Sequence, residues 1–201
     1  MFVFLVAAAY FLSLFTGIEL IARKTSIPIE LSRKLAHIIA GVSAALLPFI
    51  MPFSSIVFLS GLFLVVMVVS RHLRIFTSIH NIERLSYGEL FFPVAIGLMA
   101  FLFPENTLYM YGILVMAIAD GLAGLLGAHF GRKKYKIGSA RKSYVGSGIF
   151  FVTCLAIGLV VAPHTGIIVI AVLLTFVEAA SVRGVDNLLL PPVAAVLLIV
   201  I

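Results

Sequence analysis

The sequence predicts an all-α, polytopic transmembrane helical bundle of about eight spans, folded as a single domain over residues 1–201. Three observations predict it. Hydrophobic residues make up 63% of the chain and charged ones 11%, with a mean hydropathy of +1.24, so polar groups are too few to cover a water-soluble surface. The apolar residues form long continuous runs, unlike the short alternating segments of a membrane β-barrel. With about eight runs, all 14 Lys and Arg residues fall in alternate connections.

Allowing about 17–25 apolar residues per span, the runs lie near 1–22, 35–51, 53–70, 89–104, 107–130, 147–163, 165–181 and 187–201. Met1 to Tyr10 have no basic flank before the apolar stretch, so the first run reads as a retained span rather than a cleaved signal. Arg23, Lys24, Arg33 and Lys34 separate runs one and two, and Arg71, Arg74 and Arg84 separate three and four. Arg132, Lys133, Lys134, Lys136, Arg141 and Lys142 separate five and six, and Arg183 separates seven and eight. The other side has short turns at Pro48 to Pro52, Pro104-Glu105-Asn106 and Pro163-His164-Thr165. By the positive-inside rule the basic loops are cytoplasmic, which places a multi-pass protein in the cell (inner or plasma) membrane. The single cysteine, Cys154, supports neither a disulfide nor a thiolate metal site. No nucleic-acid partner is expected.

Polar residues within these runs and loops are the candidates for chemistry. Arg33 and Lys34 precede His37 by four and three residues, so on a helix all three share a face at the membrane edge. Two cations and a titratable ring suit a phosphate, although a snorkelling basic flank has the same composition. In the loop from Arg71 to Glu89, Leu73, Ile75, Phe76, Ile79 and Ile82 suit an interfacial amphipathic helix, and Glu89 sits near a helix start. Asp120, Gly124, Gly127 and Gly131 fall on one helical stripe, since successive residues turn by about 100°. That carboxylate has no cation three or four residues away, and an unpaired acid inside a membrane span is a functional candidate. Glu19 has Arg23 four residues on and reads as structural.

The basic loop after Gly131 ends in Arg141, Lys142, Ser143, Gly146 and Ser147 before an apolar helix, a set suited to phosphate. It is not a P-loop, because Arg141 stands where that pattern needs glycine and no strand is expected before it. Glu178 and Asp186 add two carboxylates on the same side as Asp120, enough for magnesium beside substrate phosphates. Their bland alternatives are a Glu178–Arg183 pair and an N-cap at Asp186 or Asn187.

Taken together these residues resemble the CTP-dependent polyprenol kinases, the group of dolichol kinase, phytol kinase and CTP-using diacylglycerol kinases. The resemblance is carried by Asp120, Ala123, Gly127 and Gly131, followed by Lys142-Ser143 and Gly146-Ser147. Arg33-Lys34 with His37, the segment Gly88 to Pro93, and Glu178 with Asp186-Asn187-Leu188 and Pro191 extend it in order. It implies a membrane kinase that moves the γ-phosphate of CTP to an isoprenoid alcohol (polyprenol, phytol or geranylgeraniol) or diacylglycerol, with Mg2+. The nucleotide would meet Arg33, Lys34, Gly127, Gly131, Arg141, Lys142, Ser143, Gly146 and Ser147. Asp120, Glu178 and Asp186 would hold metal, and Asp120, Lys142 and His37 would serve catalysis. The lipid tail is expected in an apolar groove beside the glycine stripe. That stripe could equally serve a contact between subunits of a homo-oligomer.

The central pattern also resembles phosphatidate cytidylyltransferases, but their C-terminal PGHGG stretch and paired aspartates are absent here. A transporter would favour matching broken helices in two halves, and no such symmetry is evident. A non-catalytic membrane scaffold would leave the basic loop and Asp120 without a task.

Overall fold

A computed structural model describes residues 1–25, 27–77 and 87–201. Among these residues the chain forms eight helices and one hairpin. The first four helices are α1 (Phe2–Lys24), α2 (Ile29–Ala45), α3 (Phe53–Leu73) and α4 (Gly88–Leu102). Helix α5 (Asn106–Phe130) is continuous, with a π-helical turn over Val115–Asp120. Strands β1 (Lys134–Ile137) and β2 (Ala140–Ser143) pair antiparallel, Lys134 opposite Ser143. Then follow α6 (Tyr144–Val161), α7 (Ile167–Ala180) and α8 (Asp186–Val200). The amphipathic helix expected between Arg71 and Glu89 falls largely on residues 78–86, outside the described residues.

The bundle differs from expectation in two respects. Four helices are long and apolar enough to cross a membrane: α1, α3, α5 and α6. The other four have 17, 15, 14 and 15 residues. At about 1.5 Å per residue they measure about 21–26 Å, short of a hydrocarbon core of about 30 Å. About eight spans were counted because apolar runs continue through turns. The run 35–51, for instance, leaves α2 at Ala45 and passes through a 3-10 turn at Leu47–Phe49, with Pro48 inside it and Pro52 capping α3. The chain is also not wholly α, because the basic loop folds as the β1–β2 hairpin around Gly138, whose φ is +57°.

Helix α5 is the axis of the molecule. Its most apolar stretch is 50% buried, against 22–28% for the matching stretches of α1, α3 and α6. Tyr109, Tyr111, Ile113, Val115 and Met116 have no exposed surface. Tyr109 and Met116 pack on one side with α1 to α4, where Phe11, Ile56, Phe63 and Met99 are buried. Tyr111 and Val115 pack on the other side with Phe150, Cys154, Leu174 and Leu190 of α6, α7 and α8. Phe58, Val152, Val160 and Phe176 stand exposed on the outer helices, as an apolar solvent permits.

Close packing of this axis depends on glycine. A Cβ on Gly112 would lie 2.7 Å from the carbonyl oxygen of Pro191 in α8, a backbone atom that cannot swing aside. Gly112→Ala should therefore lower the thermal unfolding midpoint in detergent, by the equivalent of about 1–3 kcal/mol. Gly148→Ala, with nothing within 4 Å of the added carbon, should cause no loss.

Candidate active site

The site begins where α2 crosses α5. A Cβ on Gly121 would lie 2.5 Å from Ile38 Cγ1, and one on Gly124 would lie 2.6 Å from Lys34 Cε. The missing side chains let Lys34 extend across the face of α5. Its Nζ donates to Asp120 Oδ2 at 2.8 Å and approaches the Asp120 carbonyl oxygen at 3.4 Å. Both side chains are nearly enclosed, at 11% and 7% exposure. Asp120 closes the π-helical turn, a widening of the helix that is common at functional sites. Within that turn the Met116 carbonyl oxygen is 3.0 Å from His37 Nε2. A carbonyl only accepts, so Nε2 carries the proton and Nδ1 of the neutral ring keeps its lone pair. His37 Nε2 is also 3.9 Å from Asp120 Oδ2.

The second part is the junction of β2 and α6. Ser143 caps α6: its hydroxyl accepts from the Gly146 N–H at 3.0 Å and donates to the Gly127 carbonyl at 3.2 Å. Gly127 and Gly146 bring α5 and α6 into near-backbone contact, for a Cβ on Gly127 would lie 2.8 Å from Gly146 Cα. A Cβ on Gly131 would collide with Ser143. The expected groove beside the glycine stripe is therefore not an open apolar channel. Lys34, Ser143 and Gly146 occupy the space, and the glycines serve close packing. Contrary to expectation, a strand does precede the helix, and it carries Lys142 to the α6 N-terminus. Ser147 there is hydrogen-bonded to the Tyr135 hydroxyl.

Lys142 points across to the turn between α7 and α8. Its Nζ is 2.5 Å from Glu178 Oε1 and 3.5 Å from Asp186 Oδ2. Burial works against its charge, but the Glu178 and Asp186 carboxylates outweigh that cost and raise its pKa above the ordinary lysine value. The turn reverses through Arg183 at φ +55° and Gly184 at φ +86°, which brings Asp186 back beside Glu178. Glu178 thus pairs with Lys142 rather than with Arg183. The N-cap of α8 is Val185, while Asp186 Oδ1 accepts from the Asn187 N–H. Asn187 Nδ2 donates to the Gly88 carbonyl at 2.9 Å and ties α8 to the start of α4.

These parts enclose a polar cavity of about 790 Å³. Arg33, Lys34, Asp120, Gly127, Arg141, Lys142, Ser143, Gly146, Ser147, Glu178 and Asp186 all line it. His37 and Gly131 do not, although His37 reaches the Lys34–Asp120 pair from behind. Lys134, Arg183, Glu30 and Asn187 line it as well. In the sequence Lys134 reads only as a topology signal and Arg183 as that or a partner of Glu178, since only the hairpin and the left-handed turn bring them to the cavity. Arg33 pairs with Glu30 at 2.7 Å, while its Nε and the Oε2 of Glu178 are buried with no hydrogen-bond partner among the described residues. The volume suits a nucleotide-sized ligand. A narrower apolar cleft of about 80 Å³ lies further along α2 and shares Arg33, Lys34 and Asn187 with the cavity. His37 lines only this cleft.

Among the described residues no three His, Cys, Asp or Glu side chains gather closely enough to hold a metal by themselves. Of the acids expected to hold magnesium, Asp120 is paired with Lys34, and Glu178 and Asp186 flank Lys142. Two carboxylates against one cavity wall still fit magnesium when it arrives with phosphates, and the orphaned Glu178 Oε2 supplies a free lone pair there.

A phytol kinase of Synechocystis sp. is 32% identical to this chain over 198 residues, covering 92% of this chain and 85% of the relative. No family model matches the chain, and no solved structure matches it.

The buried Lys34–Asp120 pair sets a first test here. Lys34→Met alone should lower stability by about 3–5 kcal/mol, because it strands a buried carboxylate. Combining it with Asp120→Leu should recover much of that loss in thermal unfolding. The second test concerns pH. Because the folded-state pKa of Lys142 lies above its unfolded value of 10.5, its pairing contributes fully below that value and is lost as pH rises through the folded-state pKa. Unfolding midpoints of wild type and Lys142→Met should therefore differ by a constant amount from about pH 8 to about pH 10 and converge above it.

Proposed function

The chain belongs to the family of phytol and polyprenol kinases, and from that premise we propose that it transfers the γ-phosphate of CTP to the hydroxyl of an isoprenoid alcohol. The observation that carries this reading is convergence. Arg33, Asp120, Arg141, Lys142, Glu178 and Asp186, from separate stretches of chain, meet at one nucleotide-sized cavity. The choice of cytidine as base rests on the family resemblance. The cavity lies among the basic connections, which supports a cytoplasmic face by the positive-inside rule. The four shorter helices would complete the crossing in a bilayer locally thinned around them.

In this proposal the triphosphate takes Lys142, Arg141 and the α6 N-terminus, with Arg33, Lys134 and Arg183 around it. Lys142 then turns from its acids to the phosphates and leaves Glu178 and Asp186 free. Those two carboxylates would hold magnesium, which neutralises phosphate charge when bound. Lys34, fixed by Asp120, stands where charge develops on the γ-phosphoryl group. The alcohol arrives from the cleft at His37. Its oxygen bonds to the γ-phosphorus, the bond to the β-phosphate oxygen breaks, and CDP leaves. The hydroxyl proton passes to His37 Nδ1, and the Asp120 carboxylate stabilises the imidazolium formed.

The test is an assay of purified protein in lipid with magnesium, γ-labelled CTP, ATP, GTP or UTP, and a panel of lipid alcohols. Label should appear in phytol or geranylgeraniol from CTP. Asp120→Asn should abolish turnover. His37→Ala should lower kcat by about 10²-fold or more at unchanged nucleotide KM, whereas Lys142→Ala should raise that KM. Pyrophosphate release with transfer of the cytidylyl group to phosphatidic acid would replace the kinase by a cytidylyltransferase.

A further inference from the structure

The apolar cleft behind α2 is not used by the nucleotide, and its lining is graded from one end to the other. At its mouth stand Arg33, Lys34, His37, Glu89 and Asn187. Inward from His37 it is almost wholly apolar and ends near Leu47 and Ile56. Ala36, Ala40 and Ala44 recur every four residues of α2 and form one smooth wall, each no more than 2% exposed. Phe11, Phe15 and Phe63 form the facing wall. Their rings meet edge to face or tilted, at 5.5 Å for Phe11–Phe63 and 5.9 Å for Phe15–Phe63.

We infer that this cleft is the seat of the acceptor's hydrocarbon chain and that Ala40 and Ala44 set the length of chain it takes, an inference that rests on the kinase reading above. The occupant needs one polar end, at His37, and a long unbranched-width apolar body. From His37 to Leu47 is ten residues of α2 and its following turn, about 15 Å of depth at about 1.5 Å per residue. A single isoprenoid chain needs this seam to open by one chain's width, and its methyl branches then meet the aromatic wall. The two acyl chains of a diacylglycerol would need twice that opening of a slot with about 80 Å³ of open space. A single chain enters by parting Phe11 and Phe15 from Phe63. Helix α1 carries two of those rings at the rim of the bundle, where only 22% of its apolar stretch is buried. The chain therefore reaches its seat sideways from the bilayer, while the nucleotide reaches the same three shared residues from the polar cavity.

A phytol analogue with a photoreactive diazirine at the far end of its chain tests the seat directly. Wild-type protein in lipid nanodiscs is irradiated with this probe, without nucleotide, and the labelled peptides are mapped. Label should fall on α3 around Ile56 to Phe63 and be competed by excess phytol but not by diacylglycerol. Label on the outer faces of α6 or α7, or label that phytol does not compete, overturns the inference. The length rule is read from rates. Ala44→Phe should lower the rate ratio of phytol to farnesol by about tenfold or more, and Leu47→Ala should move it the other way. An unchanged ratio in a folded Ala44→Phe protein overturns the rule, and the crosslink stands if that variant fails to fold. The kinase reading fails separately: competed label in the cleft without phosphoryl transfer keeps the lipid seat and removes the reaction.

Discussion

Everything at the polar end of this bundle depends on one buried ion pair, Lys34 with Asp120. Neither charge is tolerable alone in a membrane protein's interior, and each is acceptable only with the other at hydrogen-bond distance. The pair demands that α2 approach α5 with no side chain between, which Gly121 and Gly124 permit. It also demands that the Asp120 carboxylate face α2, and Asp120 closes the π-helical turn there. The same turn presents the Met116 carbonyl to His37 and so selects the tautomer of the ring. One electrostatic requirement thus accounts for two glycines, a helix irregularity and the orientation of a histidine.

The cavity repeats this logic at larger scale. Six basic and four acidic side chains line it, two more positive charges than negative. In the free protein the acids hold Lys34, Lys142 and Arg33 in place, so their cations are neither solvated nor mutually repelling. A nucleoside triphosphate with one magnesium carries about two negative charges net, which matches the surplus. In the proposed reaction, exchange of an internal carboxylate for a phosphate would leave each lysine paired, and the freed carboxylates would be hard oxygen ligands of the kind magnesium takes.

Much of this site is legible in the sequence, and the exceptions have physical reasons. Asp120 stands out because a lone acid in an apolar helix is costly, yet its partner is 86 residues away and only tertiary packing reveals it. Lys142, Glu178 and Asp186 are each visible as charges beside one face, but their mutual pairing depends on the reversal at Arg183 and Gly184. The glycine stripe is correctly a place of closest approach. What approaches is Lys34, Ser143 and Gly146, because composition reports space and not its occupant. The number of helices is legible but their lengths are not, for a related reason: hydropathy runs on through Pro48 and Pro52 without a change of sign, whereas α2 ends at Ala45 and α3 begins after Pro52. The hairpin is missed because its strands are only four residues long and half basic, and the alternation Lys134-Tyr135-Lys136-Ile137 is too short to stand out within a basic loop.

The division of α2 between two environments explains how a kinase for a lipid can work at all. Its substrates have opposite solvent preferences, and a single pocket would have to desolvate triphosphate or hydrate hydrocarbon. Here the two environments occupy different levels of one helix: Glu30, Arg33 and Lys34 border the polar cavity, and Ala36, His37, Ala40 and Ala44 line the apolar cleft further along α2, with Arg33 and Lys34 bordering both. Lys34 and His37 lie three residues apart, less than one turn, so the two environments adjoin at that level of the helix. In the proposed reaction the lipid hydroxyl and the γ-phosphorus would meet there, beside the buried ion pair, where water has little access and fixed charges act strongly.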